Sequence, residues 1–208
     1  MRRNYFFLSV LVLLTFGLAA SAANPIVKKY AWHDKGGTPR TYEFTIPWEL
    51  YWECKTRPRV SDYVAYVVDL NNAYLMLSLA HLLLSKAPYD HKGRIEFVAA
   101  FVQGAIPYVA DQHGEHPKYP VETLVEGGDC EDKAILLAAF LRVMGYRVAL
   151  LVFPDHVAVG VACPTCWGTY YLQGRLGYFY IEATSPGWSV GEVPPEFRGK
   201  PALVFVVR

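Results

Sequence analysis

The apolar and polar positions of this chain change period several times between its ends. Residues 5–20, "YFFLSVLVLLTFGLAA", are nearly continuous in apolar character. "YAWHDKGGTPRTYEFTIPWELYWECK" (30–55) alternates aromatic and β-branched residues around the turn signal "DKGGTP", which predicts a hairpin or two short strands. From Ser61 to Ser85 the period becomes helical, with a break at Asn71 and Asn72, then a buried helix "AYLMLSLAHLLLS" that Pro88 ends. Residues 94–111 predict a second helix, weakened by Gly104 and stopped near Pro107. Residues 111–129, "DQHGEHPKYPVETLVEGGD", read as a long polar connection, the kind of segment that carries binding and catalysis.

A third helix is expected to start at or beside Cys130. Asp129 stands at its N-cap with Asp132 three residues on, a capping-box-like spacing, and Gly145 supplies the stop. Residues 134–144 are apolar except Arg142, so this helix is buried on most of its surface. Only strand signals follow: 146–153, 156–163, 168–173, 177–184 and 202–207, with "QGRLG" joining the third and fourth as a hairpin. Helices first and strands second predict an α+β fold with an antiparallel sheet packed on the central helix. The organisation expected is a leader over 1–23, an N-terminal strand region over 24–60 and the main domain over 61–208.

Composition narrows the class. At 53% apolar and 15% aromatic residues the chain can bury a core, which excludes wholesale disorder. Arg2 and Arg3, the apolar stretch and the small-residue exit "ASA" ending at Ala22 form a secretory signal, with the mature chain starting at Ala23 or Asn24. An uncleaved N-terminal anchor is the alternative, although the stretch is shorter than the ~20 residues of a spanning helix. The helix after Cys130 is too interrupted, by Lys133 and Arg142, to span a bilayer. A secreted or extracytoplasmic protein follows, touching a membrane only through an uncleaved N-terminal segment. Without Arg2 and Arg3 the basic count falls from 20 to 18 against 19 acids, so no electrostatic footprint for nucleic acid exists.

Four cysteines in an exported chain suggest disulfides first. Cys163 and Cys166, in "CPTC", suit a tight bridge, two free thiols or half of a metal site, though no second CxxC or close His pair supplies further ligands. Cys54 reads as a packed residue. Cys130 differs, because a helix start offers unpaired N–H groups and a favourable dipole to a thiolate. Its neighbours Asp129, Glu131 and Asp132 oppose that charge, so a base or imidazolium partner is needed. His156, in "FPDHVAVGVA", opens an alternating strand, and Glu182, in "FYIEATSPGW", lies in a later one where it can orient the imidazole. Each residue alone has a bland reading: a structural cysteine, a satisfied histidine, a solvated acid.

The stretches "YPVETLVEGGDCEDKAILLAAFLRVMGY", "DHVAVGVA" and "YFYIEATSPGWSVGEVPPEFRG" together resemble the transglutaminase-like superfamily, in particular its archaeal and bacterial cysteine-peptidase-type members, over about Phe97 to Phe197. The resemblance implies a papain-like, transglutaminase-core fold with Cys130 as nucleophile, His156 as general base and acid, and Glu182 where many members have Asp. By the same analogy Gln103 joins the backbone N–H of Cys130 in an oxyanion hole, and Trp188 and Tyr119 line the cleft. No cofactor is required. Some periplasmic relatives bind calcium through acids flanking the cysteine, which Asp129, Glu131 and Asp132 match as hard oxygen ligands, with helix capping as their other reading. His113 and His116 are solvated loop residues or cleft-edge metal ligands. The expected activity is acyl transfer on protein or peptide amide bonds, with hydrolysis ahead of transamidation. The alternative is a non-catalytic, calcium-binding or structural module on the same fold.

Overall fold

A computed structural model describes residues 24–112, 114 and 116–208; the expected export segment and His113 lie outside them. The first elements are β1 (Ile26–His33) and β2 (Pro39–Ile46), an antiparallel hairpin in which Ile26 pairs with Ile46 and His33 with Pro39. Its turn is tied by Asp34, whose Oδ1 accepts the N–H groups of Gly36 and Thr38. One face of the hairpin is aromatic and buried. Tyr30, Trp32 and Phe44 pack on Phe101 with ring centroids 5.1–5.7 Å apart, so residues 24–46 share a core with the rest of the chain.

The strand-like 30–55 pattern stops at Pro47, and α1 (Trp48–Thr56) follows. Next come α2 (Tyr63–Val67) and α3 (Leu70–Leu84), each opened by an aspartate: Asp62 accepts from Val64 N–H and Asp69 from Asn72 N–H. The helical break therefore falls at Val68 and Asp69, before the Asn pair, because the carboxylate of Asp69 caps the new helix. In α4 (His91–Ala105), Asp90 caps Gly93 N–H. The expected loop over 111–129 contains a short helix, α5 (Pro120–Glu126), started by a proline whose fixed φ suits a first helical turn.

The central helix is α6 (Cys130–Val143), closed by Gly145 at φ +88° with Tyr146 N–H bonding back to the Leu141 carbonyl. It packs on α2, α3, α4 and α5 and on one face of a five-stranded antiparallel sheet. That sheet contains β3 (Val148–Val152), β4 (Val157–Val161), β5 (Tyr170–Gln173), β6 (Leu176–Ile181) and β7 (Leu203–Val206) in the order β5-β6-β4-β3-β7. The strand period sorts residues between two cores. Leu150, Val157, Val159 and Ile181 face the helices, whereas Leu151, Ala158 and Tyr180 face a smaller cluster closed by Phe153, Val193 and Phe197. The fold is thus α+β. No helix among the described residues is long and apolar enough to cross a membrane.

Candidate active site

The glycine pair before Cys130 has a steric origin. Gly127 adopts φ +80°, which favours glycine, and a Cβ on Gly128 would collide with the Asp132 side chain. Gly128 also exchanges backbone bonds with the Pro107 carbonyl (3.1 Å) and Val109 N–H (3.0 Å), which brings Tyr108 alongside. Cys130 follows as the first residue of α6, so its own N–H has no partner within the helix.

The acids around it do not cap the helix as the spacing predicts. Asp129 occupies the N-cap without a side-chain capping bond. Asp132 turns instead to Lys118, accepting its backbone N–H at 2.6 Å and its ammonium at 2.5 Å. Asp129 Oδ1 and Glu131 Oε1 are buried without a hydrogen-bond partner. Burial, followed by the neighbouring Asp129 carboxyl, pushes the Glu131 carboxyl far above the usual carboxylate range. Of the three acids proposed for calcium, Asp129 and Glu131 offer buried oxygens that lack a donor, whereas Asp132 is already neutralised by a lysine. The ligand atoms of Asp129, Cys130 and Glu131 lie within 4.8 Å of one another.

His156 and Glu182 stand at strand ends, one residue before β4 and one after β6. The register pairs Val159 with Ile181, which brings His156 opposite Thr184 and within two positions of Glu182. His156 Nε2 lies 3.1 Å from Glu182 Oε2. The carboxylate is held by four further donors: Tyr180 Oη on Oε2 (2.6 Å), and Ala183 N–H (3.0 Å), Thr184 N–H (2.8 Å) and Thr184 Oγ1 (2.6 Å) on Oε1. Burial raises the Glu182 pKa, but His156 and these donors outweigh it and hold the group at about 2. Phe197 stacks on the imidazole at 4.5 Å and 12°. This leaves Nδ1 as the ring nitrogen not engaged by Glu182.

Cys130, His156 and Glu182 line one cleft of about 450 Å³, walled by Tyr108, Trp188 and Phe197. A backbone bond from Val157, next in chain to His156, acts to lower the Cys130 pKa. Burial and the acids Glu131 and Asp129 outweigh that bond and push the thiol up to about 12. The resting group is a thiol.

Gln103, expected as an oxyanion donor, is not among the residues lining the cleft of Cys130 and His156. It is buried, and its amide N–H₂ donates to the carbonyls of Glu182 (2.8 Å) and Trp188 (3.3 Å), so both hydrogens are engaged in holding the segment after β6. Tyr119 lies away from the cleft, packed on Tyr66 at 4.6 Å. His116 Nε2 accepts from Arg59 and joins no cluster of metal-ligating side chains among the described residues. Cys163 and Cys166 form a disulfide, and Cys54 is buried with Asn72 Nδ2 donating to its sulfur. The strand-leading segment just after the disulfide connects to the site through backbone. Thr169 N–H donates to the Gly191 carbonyl (2.9 Å), Gly191 N–H to that of Tyr180 (2.7 Å) and Tyr180 N–H to that of Thr169 (3.0 Å).

Sequence reasoning missed Tyr180, Thr184 and Phe197. Tyr180 carried a usable signal, since two positions along a strand return to the same face as Glu182. Phe197 comes from a one-turn 3-10 segment, Pro195–Phe197, and nothing in its surroundings marks it.

No family model matches the chain, and no curated protein does. Among solved structures, a candidate cysteine protease from Cytophaga hutchinsonii superposes with a TM-score of 0.43 at 13% identity, over 87% of this chain and 73% of that one.

Proposed function

We propose that this protein is an exported thiol acyl-transfer enzyme of transglutaminase-like, papain-like type, acting on amide bonds of proteins or peptides. The observation that carries the reading is the five-donor Glu182 carboxylate fixing His156 in the cleft that contains Cys130. A buried carboxylate so held orients an imidazole and stabilises the imidazolium when it forms.

In this reading Cys130 Sγ attacks the amide carbonyl carbon while His156 takes the thiol proton. Because the resting thiol is protonated, transfer accompanies attack rather than preceding it. The unpaired Cys130 N–H at the start of α6 receives the developing oxyanion. Collapse breaks the C–N bond, His156 returns the proton to the leaving amine, and a thioester remains. Water, deprotonated by His156, then gives the acid and restores the thiol; an amine in its place gives a new amide. Hydrolysis is the outcome proposed ahead of transamidation.

A second reading, a calcium-binding module without catalysis, has one observation in its favour: the donorless buried oxygens of Asp129 and Glu131. Buried oxygens of that kind need a proton or a cation. Asp129 and Glu131 are the residues that would hold calcium, which would offset negative charge beside Cys130.

The test is the pH dependence of iodoacetamide alkylation at Cys130, read by peptide mass spectrometry in wild type and His156→Ala. Labelling at neutral pH that is at least tenfold faster in wild type supports the enzyme. Equal, slow labelling in both, with and without calcium, leaves the module.

A further inference from the structure

Lys133 is a buried cation that the mechanism above does not use. It follows Cys130 by three residues in α6 and is 1% exposed. A lysine at such a depth ordinarily pairs with a carboxylate. Among the described residues this one has no carboxylate partner: its ammonium donates to three backbone carbonyls, Ile106 at 2.8 Å, Thr184 at 2.9 Å and Gln103 at 3.4 Å. Three donors meet three acceptors, so the group is saturated.

The acceptors lie on two separate pieces of chain. Gln103 is in the last turn of α4 and Ile106 is its C-cap, with the open carbonyls of a helix end. Thr184 belongs to the segment after β6, and its N–H and hydroxyl both hold Glu182 Oε1. Lys133 therefore joins three parts: the helix that begins at Cys130, the end of α4, and the two residues beyond Glu182. Gln103 adds a parallel strap from α4 to the carbonyls of Glu182 and Trp188. Packing of α6 on β3 and β4 sets the helix against the sheet, and these ties add directed hydrogen bonds between its first turn and the segment that holds Glu182. Burial pushes the Lys133 ammonium down to about 8, against the opposing pull of the Glu182 charge.

We propose that Lys133 is a positioning residue, clipping the first turn of α6 to the Thr184 carbonyl so that Cys130 is held at working distance from the His156–Glu182 pair. The proposal rests on the reading that these three groups act together. Methionine matches the lysine stem in length and apolar character but donates nothing, so Lys133→Met removes the clip with little change in packed volume.

The test measures Cys130 alkylation against pH, together with thermal unfolding, in the full chain, each time with and without His156→Ala, as wild type, Lys133→Met, Lys133→Gln and Ile135→Val. The last is a packing change on the same helix that leaves the clip intact. The expected result is that Lys133→Met loses most of the His156-dependent acceleration, at least tenfold at neutral pH and well below its own Tm. Lys133→Gln, which keeps two donors, should recover part of it, and Ile135→Val should label as wild type does. A Lys133→Met protein that is destabilised yet labels with the wild-type profile overturns the proposal, as does a chain that folds with neither substitution. If wild type itself shows no dependence on His156, the enzyme reading fails and the positioning role fails with it. Dependence in wild type that persists in Lys133→Met removes the positioning role alone.

Discussion

Glu182 and His156 meet at 3.1 Å through Oε2 and Nε2, and the carboxylate reaches that geometry already saturated by Tyr180, Ala183 and Thr184. The pair is built from two strand ends that pass side by side, so its spacing is set by sheet register rather than by a flexible loop.

Replacing Glu182 by Gln should test that pair. The amide presents one acceptor where the carboxylate presents two, so either His156 or Thr184 loses its bond. The proposed activity should fall by roughly 10²–10⁴, the range attached to a general acid–base group. Stability should change its pH dependence as well. The folded-state pKa is about 2 against an ordinary 4.5, so the unfolded chain binds the extra proton between these values. Wild type therefore loses stability as pH falls through that window, and Glu182→Gln should lose less. Thermal unfolding between pH 2 and pH 5 measures the difference.

Glu131→Gln should lower the pH at which Cys130 labels. Glu131 opposes the thiolate by charge and accepts the thiol hydrogen bond at 3.4 Å. With that charge gone, the midpoint of the alkylation profile should move to lower pH. The stability effect has the opposite sign to that of Glu182. The folded pKa of Glu131 is raised, so its contribution is present at acid pH and is lost as pH rises above the ordinary carboxylate value. Melting curves from pH 5 to pH 9 should be flatter in Glu131→Gln.

Lys118 and Asp132 form a buried ion pair between the 111–119 connection and α6. Lys118→Met alone should cost about 3–5 kcal/mol, because it leaves a buried carboxylate without its cation. Lys118→Met combined with Asp132→Leu should recover part of that loss. Urea unfolding of both variants decides it, and an equal loss in the double variant would contradict the account.

The disulfide loop should communicate with the site through Gly191. This glycine has φ +85°, and a Cβ there would run into the Trp167 carbonyl. Gly191→Ala should therefore cost at least about 1–2 kcal/mol from backbone conformation alone. It should also disturb Tyr180, the hydroxyl donor to Glu182. Reduction of Cys163–Cys166 should cost about 2 kcal/mol for so short a loop. Thermal unfolding with and without dithiothreitol measures both.

How much of this was open to sequence reasoning varies with the physics involved. Helices α3, α4 and α6 show in the pattern because each buries a wide apolar stripe over many turns. Strand and helix compete over Trp48–Thr56, where aromatic residues suit either, and α5 hides because seven residues are too few to set a period. In the cleft, Cys130, His156 and Glu182 can be named from residue type and order. The roles of Gln103, Asp132 and Lys133 cannot, because they depend on which distant carbonyls or ammonium groups come within reach after folding. Gln103 looks like an oxyanion donor until its two hydrogens are traced to Glu182 and Trp188.

The protonated state of Cys130 bears on resistance to oxidation as well as on reaction. Peroxide and disulfides are attacked by thiolates, so a thiol pushed up to about 12 is a poor target for sulfenic acid formation or exchange. Cys54 is similarly protected, buried and pushed up to about 11, and the other two sulfurs are already joined to each other. In the exported enzyme proposed above, the one accessible thiol would stay protonated through burial first and its acidic neighbours second, so that its resistance to oxidation would not depend on a reductant.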